Sequence, residues 1–352
     1  MPAVDLASPP LLVSGAVLIF LIASALSVAV VRRRRPGSQR TVSVVGIGDG
    51  GANAVRAAMR ARTPGVQYVA INTDEAALGR SRAQKKILIG MPGQREGAGG
   101  DPTVGELAAR DAAEEIKAAL AGSDLVVITS GLGGGTGSGA APVVAEIARQ
   151  QGALTIAVLT KPFAFEGTRR HHVAERAMKE LMGKVDAVAV LPNERVRDTV
   201  SGDVSIDDAF RAIDEMLRSS IQAILDMVAA PGRISLDFGN ARSVLKAGGA
   251  AFVGFGRAAG EHRAAEAAHA AMAAALLDAG MEGASSIVLN VKASRRLKLS
   301  ELDEAVQEVI AATGTDADVV LGMTIDERLG QQLQVTLIAT GFRSQLAAAE
   351  VP

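Results

Sequence analysis

The segment GGGTGSG at residues 133–139 decides the fold of this chain. It follows the apolar run Leu125–Ile128 and precedes a second apolar run, Ala140–Val144, so it predicts a buried strand, a glycine turn and a helix that starts at Pro142. Glycine permits positive φ and lets the backbone approach a ligand closely. A helix N-terminus adds unbonded N–H groups and a partial positive charge. The turn is therefore predicted to hold phosphates rather than to act as a flexible linker.

Strands and helices alternate on both sides of this turn. That order predicts a parallel, doubly wound sheet, in which ligands bind beyond the carboxyl ends of the strands. The predicted strands are Thr41–Val45, Val66–Ile71, Ile87–Ile89, Leu125–Thr129, Leu154–Leu159 and Ala187–Leu191. The predicted helices among them include Asn53–Ala61, Glu106–Ala121 and Val173–Met182. Residues 41–205 are accordingly assigned to one ligand-binding α/β domain.

The pattern changes after this region. One long helix, Ile206–Val228, is followed by Ala230-Pro231-Gly232, which predicts a central helix over residues 206–230. Further strands are predicted at 250–256, 286–291, 319–324 and 334–340, with helices near 264–279 and 300–312. These elements predict a smaller α/β domain over residues 231–342, followed by a short tail, 343–352.

The N-terminus carries a membrane signal. Leu11–Val31 contains no charged residue over 21 positions, and Arg32–Arg35 follows it directly. That length is enough to span a bilayer as a helix, and the positive-inside rule places the arginines in the cytoplasm. Residues 1–35 are therefore predicted to form a single-pass anchor with its N-terminus outside, and residues 36–40 a linker. An atypical signal peptide and a helix lying on the membrane are the alternatives.

Composition excludes several classes of function. The formal net charge is −1, so nothing global favours a nucleic-acid partner. The chain has no cysteine, which excludes disulfides, thiolate metal sites and cysteine nucleophiles. Of its four histidines, His171 and His172 are adjacent and cannot share a helix face, so we interpret them as solvated. No metal site built from the protein's own side chains is predicted.

A second glycine turn lies near the start of the predicted domain. Gly46, Gly48 and Gly51 fit the dinucleotide pattern G-x-G-x-x-G, and Asp74 follows at about the distance expected of a ribose-binding acid. A nicotinamide-dependent oxidoreductase is therefore one hypothesis. However, a dinucleotide fold needs only one such turn, and two glycine turns on neighbouring strands suit a longer phosphate chain. The P-loop pattern does not occur.

Two further polar features follow predicted strands, and a third lies in the loop after the central helix. Glu166 and Arg170 have helical i, i+4 spacing, so they would share a face either as a surface ion pair or as nucleotide ligands. Asn193 would bind a base or ribose, or cap a turn. Asp237 is the only acid between Asp226 and Glu261, and spacing alone favours a turn-forming role for it.

Taken together and in order, these segments resemble the FtsZ family of the tubulin superfamily, from about Val42 to Phe342. The resemblance implies GTP and GDP as ligands with Mg²⁺ as cofactor, and head-to-tail assembly in which a loop of the next subunit completes the active site. It implies phosphate binding by Gly48, Asp49, Gly50, Gly51, Ala52, Asn53, Gly133, Gly134, Gly135, Thr136, Gly137 and Ser138. It implies ribose and phosphate contacts from Glu166 and Arg170, and guanine contacts from Asn193, Phe210 and Glu215. Asp237 and Asn240 would position the attacking water in the neighbour's site.

The chain departs from the family's pattern at several of these positions. Asn240 stands where the family has a second acid, and an amide cannot accept a proton as a carboxylate does, so slow hydrolysis is expected. Asp49 and Ala52 stand where the family has Gly and often Asn, and Glu215 and Asp101 replace the usual Asp and Asn. An acid beside a triphosphate is repulsive unless a cation intervenes.

The expected function is therefore a membrane-anchored FtsZ-like GTPase that polymerises on the cytoplasmic face of the membrane. The alternative is a catalytically weak GTP-binding scaffold that co-assembles with a true FtsZ or another membrane partner. Asn240 favours this alternative, whereas the intact phosphate loops leave both hypotheses open.

Overall fold

Ten strands form a single sheet in the part of the chain that the structure describes. This computed structural model describes residues 40–90, 93, 95–196, 205–229, 239, 242–243, 252–275, 283–314 and 317–342. The strands are β1 (Val42–Ile47), β2 (Val66–Asn72), β3 (Lys85–Leu88), β4 (Leu125–Gly131), β5 (Leu154–Lys161), β6 (Ala187–Pro192), β7 (Phe252–Ala259), β8 (Ser286–Ala293), β9 (Asp318–Ile325) and β10 (Gln332–Thr340). Their spatial order is β3-β2-β1-β4-β5-β6-β7-β10-β8-β9.

Helices connect most of these strands. They are α1 (Gly48–Ala58), α2 (Glu75–Arg80), α3 (Pro102–Asp111), α4 (Ala113–Leu120), α5 (Gly135–Gln150), α6 (Thr168–Met182), α7 (Ile206–Ala229), α8 (Arg263–Ala275) and α9 (Leu299–Thr313). Short 3-10 turns lie at Met59–Ala61, Ala164–Glu166, Asn193–Arg195 and Glu327–Leu329.

The first six strands are all parallel, and helices cover both of their faces. In β1, Val42 and Val44 pack in the cluster that contains Ile221 of α7, whereas Val45 and Ile47 pack in the cluster on the α5 side. Every residue of β1 is buried, because a parallel sheet of this kind has no solvent face. The carboxyl ends of these strands consequently meet at one edge of the sheet.

The last four strands form a smaller mixed group. β10 is antiparallel to β7 and to β8, whereas β8 and β9 are parallel. The group joins the parallel strands through a single described parallel bridge, Val188↔Phe252. Leu289 and Val291 pack against α8 and α9 on one face, and Val288 and Ile338 share a core cluster with α7 on the other. The predicted α/β fold is confirmed: a parallel sheet is joined through a central helix to a smaller α/β region, whose strands continue the same sheet.

Several predicted helix boundaries are wrong. α6 begins at Thr168, directly after Gly167, rather than at Val173. α5 begins at Gly135 rather than at Pro142, which lies inside the helix. α1 begins at Gly48, immediately after β1, rather than at Asn53. The predicted helix over residues 106–121 is two helices, α3 and α4, which meet at Ala112, where φ is −90° and ψ is 12°. In each case local glycine or loop geometry overrides the apolar spacing on which the prediction depended.

Some predictions fall outside the described residues. They include the membrane anchor over residues 1–35, most of the 36–40 linker, the tail at 343–352 and the loop residues Asp237 and Asn240. From Arg40 onward the described residues belong to one compact unit. Within the described ranges, no helix combines the length and the apolar character needed to cross a bilayer.

Candidate functional site

A cavity of about 450 Å³ opens at the carboxyl edge of the parallel strands. Its walls come from the turns after β1, β2, β4 and β5, from Asn193 after β6 and from the first half of α7. This is where a doubly wound sheet is expected to bind ligands. The cavity has two chemically different ends, one built from backbone and the other from side chains of α7.

Two helix N-termini form the first end. α1 starts at Gly48 and α5 at Gly135, and neither has a side-chain N-cap. The two turns lie close together, because a Cβ built on Gly48 would lie 3.3 Å from the backbone N of Gly137. Uncapped helix N-termini present free N–H groups and partial positive charge. This end of the cavity is therefore an anion site.

Hydroxyl groups fix the two turns. The Thr136 and Thr73 hydroxyls are 2.6 Å apart and share a hydrogen bond, which joins α5 to the end of β2. The Ser138 hydroxyl accepts a hydrogen bond of 2.9 Å from the backbone N–H of Gly133. Gly133 adopts φ of 101°, which requires glycine. The glycine-rich turn is thus held in one conformation before any ligand binds.

The second end of the cavity has an apolar wall and two polar side chains. Phe210, Ile213 and Leu217 of α7 line it. The Oδ1 atom of Asn193 is buried and has no hydrogen-bond partner among the described residues. Burial raises the pKa of the Asp214 carboxyl, although nearby Arg56 and Arg60 act in the opposite direction. An unpartnered buried amide oxygen is costly, so it indicates a ligand that donates a hydrogen bond there.

Glu166 and Arg170 form another part of the cavity wall. They form the ion pair that their spacing predicted, and both line the cavity. Glu166 also accepts a hydrogen bond of 2.9 Å from the backbone N–H of Phe163. The Phe163 ring packs edge-on against Phe210, with centroids 5.8 Å apart. The pair is therefore built into the wall of the cavity rather than being a free surface contact.

Most of the residues assigned from the sequence reach this cavity. Those that line it are Gly48, Asp49, Gly50, Asn53, Gly134, Gly135, Thr136, Gly137, Glu166, Arg170, Asn193 and Phe210. Gly51, Ala52, Gly133 and Ser138 are not among the lining residues. Gly51 faces the protein, since a Cβ there would overlap the carbonyl oxygen of Thr129.

Glu215 requires correction. Its carboxylate pairs with Arg218, which lowers the pKa of Glu215, and it lies outside the cavity. The neighbouring acid, Asp214, occupies the place that was assigned to Glu215. The missed signal is the four-residue spacing from Phe210 to Asp214, which puts both on one helix face, whereas Glu215 is turned by a further 100°.

Other residues that line the cavity were not predicted from the sequence. Asn72 and Thr160 end strands β2 and β5, and Glu96 lies in the loop before α3. Asp74, which was considered only under the dinucleotide hypothesis, also lines the cavity. Asp101 instead caps α3, where its carboxylate accepts a hydrogen bond of 2.9 Å from the backbone N–H of Thr103. The sequence signal for Asn72 and Thr160 was a polar residue near the carboxyl end of a predicted strand.

The fold and the cavity define an α/β nucleotide-binding protein with one site for phosphates and another for a base. Residues 41–201 match the Tubulin/FtsZ family, GTPase domain, and residues 249–343 match the FtsZ family, C-terminal domain. An FtsZ dimer of M. jannaschii is 38% identical, covers 95% of this chain and 94% of that chain, and superposes with a TM-score of 0.80. The chain belongs to the Tubulin/FtsZ family and carries its GTPase domain.

Other solved structures agree on the fold. A point variant of the M. jannaschii FtsZ is 37% identical over 94% of this chain and 97% of that one, with a TM-score of 0.79. A GTPγS-bound protofilament of CetZ2 from Haloferax volcanii is 24% identical over 88% of this chain and 96% of that one, with a TM-score of 0.71. The second similarity shows the shared fold alone.

Proposed function

We propose that the chain is a membrane-anchored FtsZ-like GTPase that assembles head to tail with GTP and Mg²⁺ on the cytoplasmic face of the membrane. The observation that best supports this proposal is the cavity with two different ends. At one end, free helix N-termini can bind the phosphates, and at the other, Asn193 and Asp214 can accept hydrogen bonds from the edge of a guanine. Guanine presents adjacent N–H donors, which a carboxylate and an amide oxygen accept. Adenine lacks this pair of donors.

Assembly is supported by exposed apolar side chains. Phe165 and Phe210 are 64% and 46% exposed, and Val104 and Leu107 of α3 are 40% and 57% exposed. Large apolar side chains on a surface are suited to burial against a second protein. The relative from M. jannaschii, which spans nearly the whole chain, is described as a dimer. We propose a second copy of this chain as the partner, with a co-polymer with FtsZ as an extension.

Hydrolysis in this proposal depends on positioning rather than on covalent chemistry. The glycine turns hold the phosphates, and Asp237 and Asn240 of the next subunit orient the attacking water. Because Asn240 is an amide, we expect slow turnover. The alternative function is a scaffold that binds GTP and assembles but barely hydrolyses it, and Asn240 is the residue that favours it.

Steady-state GTP turnover as a function of protein concentration tests the proposal. A site completed by a neighbour gives a rate per molecule that rises cooperatively, in parallel with GTP-dependent sedimentation of the protein. Sedimentation with GTP and with a non-hydrolysable analogue, but with negligible turnover, would support the scaffold. A rate per molecule that is independent of concentration would contradict the shared active site.

Membrane attachment is proposed from residues 11–35 and is tested separately. The full chain should remain in the membrane fraction after alkaline carbonate extraction, with its GTPase region reachable only from the cytoplasmic side. A charge in the middle of the apolar run, Ile22→Arg, should release the protein because a central arginine opposes insertion. Complete extraction of the unaltered chain would contradict the anchor.

A further inference from the structure

The side chains that line the nucleotide cavity carry an excess of negative charge. Within the described residues, its carboxylates are Asp49, Asp74, Glu96, Glu166 and Asp214, and its only guanidinium is that of Arg170. Arg170 is already paired with Glu166. A nucleoside triphosphate is itself polyanionic, and helix N-termini supply only partial positive charge. The cavity therefore needs an additional cation to hold a triphosphate.

Asp49 is the carboxylate at the phosphate end. It lies in the first turn of α1, directly after Gly48. The Nδ2 of Asn72, a residue only 3% exposed, donates a hydrogen bond of 2.8 Å to its Oδ1. Asp49 Oδ2 makes no hydrogen bond to any residue within the described ranges. A buried amide thus orients the carboxylate and leaves one oxygen free in the cavity.

Another hard oxygen donor lines the same cavity. The Thr136 hydroxyl lines the same cavity, and the phosphates of a nucleotide at the glycine turns would lie beside it. Carboxylate, hydroxyl, phosphate and water oxygens are the ligands that Mg²⁺ prefers. The donor set therefore fits a divalent cation. A different role for Asp49, compensation of the α1 dipole, would make it a competitor of the phosphates instead.

We propose that Asp49 is a protein ligand for a divalent cation that bridges the carboxylate and the nucleotide phosphates. This inference rests on the proposed GTP site. It makes nucleotide binding by this chain strongly dependent on the cation, because the same carboxylate repels the phosphates when the cation is absent.

The test is a GTP affinity titration on the full-length chain in mild detergent, from excess chelator to saturating Mg²⁺. We expect the affinity of the unaltered chain to rise by at least about tenfold over this range, the effect of one short-range charge interaction. Asp49→Asn should bind GTP more tightly than the unaltered chain in chelator, and should gain less than about threefold from Mg²⁺. Asp49→Glu should retain most of the dependence.

Glu75→Gln is the matched control. Glu75 is an exposed acid of α2 that pairs with Arg95 at 3.1 Å and lies outside the cavity lining. The cation dependence of this variant should remain that of the unaltered chain. As a second readout, Mn²⁺ titrated into the GDP-loaded protein and followed by electron paramagnetic resonance should bind more weakly to Asp49→Asn.

Two outcomes would overturn the inference. Equal Mg²⁺ dependence in Asp49→Asn and the unaltered chain would show that Asp49 holds no cation. If Asp49→Asn binds GTP more tightly than the unaltered chain by the same factor with and without Mg²⁺, Asp49 competes with the phosphates instead of binding a cation. Absence of GTP binding by the unaltered chain at saturating Mg²⁺ would instead overturn the GTP site itself. Matching thermal unfolding of the variants establishes that each is folded.

Discussion

Asp214 and Asn193 approach the cavity from different elements, the central helix and the turn after β6. Burial raises the pKa of the Asp214 carboxyl, and the Asn193 Oδ1 has no hydrogen-bond partner among the described residues. Both groups gain a hydrogen bond if a base edge with N–H donors enters between them. In the proposed GTP site, we therefore expect these two acceptors, rather than the glycine turns, to select the base.

The first prediction concerns Asp214. Asp214→Asn should weaken GTP binding by about 10- to 100-fold, because a hydrogen bond to a charged acceptor is lost and the inserted amide group places a donor against a donor. The measurement is a GTP dissociation constant by fluorescence titration. Glu215→Gln is the control, since Glu215 pairs with Arg218 outside the cavity. Equal losses in the two variants would contradict the assignment.

The second prediction concerns Asn240. Asn240→Asp should raise GTP turnover by about tenfold or more at protein concentrations that support assembly, because it restores an acid that can accept a proton from water. Below the assembly threshold the variant and the unaltered chain should be equally slow. An unchanged rate in an assembling preparation would contradict the role given to this loop.

The residue-scale roles were predicted from sequence to differing degrees. Asn193 and Phe210, which the resemblance assigned to the guanine, both line the cavity, and their contact with a base remains a prediction. Asp214 was not predicted, because two adjacent acids on a helix differ only in direction, and direction depends on how the helix docks. Asp237 and Asn240 remain predictions.

At the scale of elements, the start of α5 explains how the phosphate end is built. The helix begins at Gly135 and runs through the glycine segment, so its first turn packs closely against the loop before α3. A Cβ on Gly135 would lie 2.8 Å from the Ala98 Cβ and from the Asp101 backbone N. Because glycine has low helix propensity, the sequence predicted that α5 starts at Pro142 instead. Tertiary packing overrides propensity here.

The third prediction tests this packing. A Cβ on Gly139 would overlap the carbonyl oxygen of Pro102 and approach the backbone N of Glu106 to 2.7 Å. Gly139→Ala should therefore destabilise the protein by about 1–3 kcal/mol, the usual cost of overpacking. Gly79→Ala is the control, because nothing lies within 4 Å of its Cβ position and alanine favours helix.

Chemical denaturation of the two variants provides the measurement. The midpoint should fall for Gly139→Ala and should stay level or rise slightly for Gly79→Ala. A Gly139→Ala midpoint equal to that of the unaltered chain would show that α3 and α5 can separate without cost.

The parallel strands were the elements best predicted from sequence. β4 and β5 are continuous apolar runs bounded by turn residues, and strands buried on both faces require such runs. The break between α3 and α4 was not predictable in this way, because the apolar spacing continues through Ala112. The backbone there departs from helical values over one residue only.

At the scale of the whole molecule, α7 links the two groups of strands by polar contacts. Gln222 accepts a hydrogen bond of 3.1 Å from Thr63 and donates one of 2.8 Å to Asp226. Lys292 of β8 pairs with Asp226 at 2.6 Å and with Asp326 at 2.9 Å. Removal of one partner from a buried ion pair lowers the stability of the fold, because it leaves the other charge buried without a partner. Within the described residues, a largely buried network thus joins the parallel and mixed strands, in addition to the bridge Val188↔Phe252.

The fourth prediction concerns the pH dependence of this network. Hydrogen bonds from Arg328 and Lys292 hold the pKa of Asp326 well below its usual value of 3.8. A carboxyl with a lowered folded-state pKa stabilises the fold above its unfolded pKa, and this stabilisation is lost as pH falls. Asp326→Asn should therefore be less stable near neutral pH, and the difference from the unaltered chain should shrink below about pH 4.

Urea denaturation across the range from neutral to acid pH measures the effect. Asp318→Asn is the control, since Asp318 is exposed at the start of β9 and should show no such convergence. A constant difference between Asp326→Asn and the unaltered chain at every pH would contradict the ionic origin of the stabilisation.

The organisation of the whole molecule was only partly predictable. The order of elements and the central helix follow from hydrophobic periodicity, which depends on local sequence. That the two strand groups share one sheet depends on the pairing of Val188 with Phe252, 64 positions apart. No local pattern encodes a pairing of that range, and the Asp226–Lys292 contact across the same boundary is likewise invisible in the sequence.

The close packing around the glycine turns has a consequence for how this protein can diverge from its relatives. A Cβ at Gly46, Gly51 or Gly137 would collide with main-chain atoms. Substitutions at these glycines are therefore expected to disrupt the fold and to be eliminated by selection. Asp49 and Ala52 lie between these fixed points and already differ from the FtsZ pattern. Sequence changes that alter nucleotide binding are therefore expected at positions such as Asp49 and Ala52 rather than at the glycines. The residues at these two positions should distinguish related paralogues from one another.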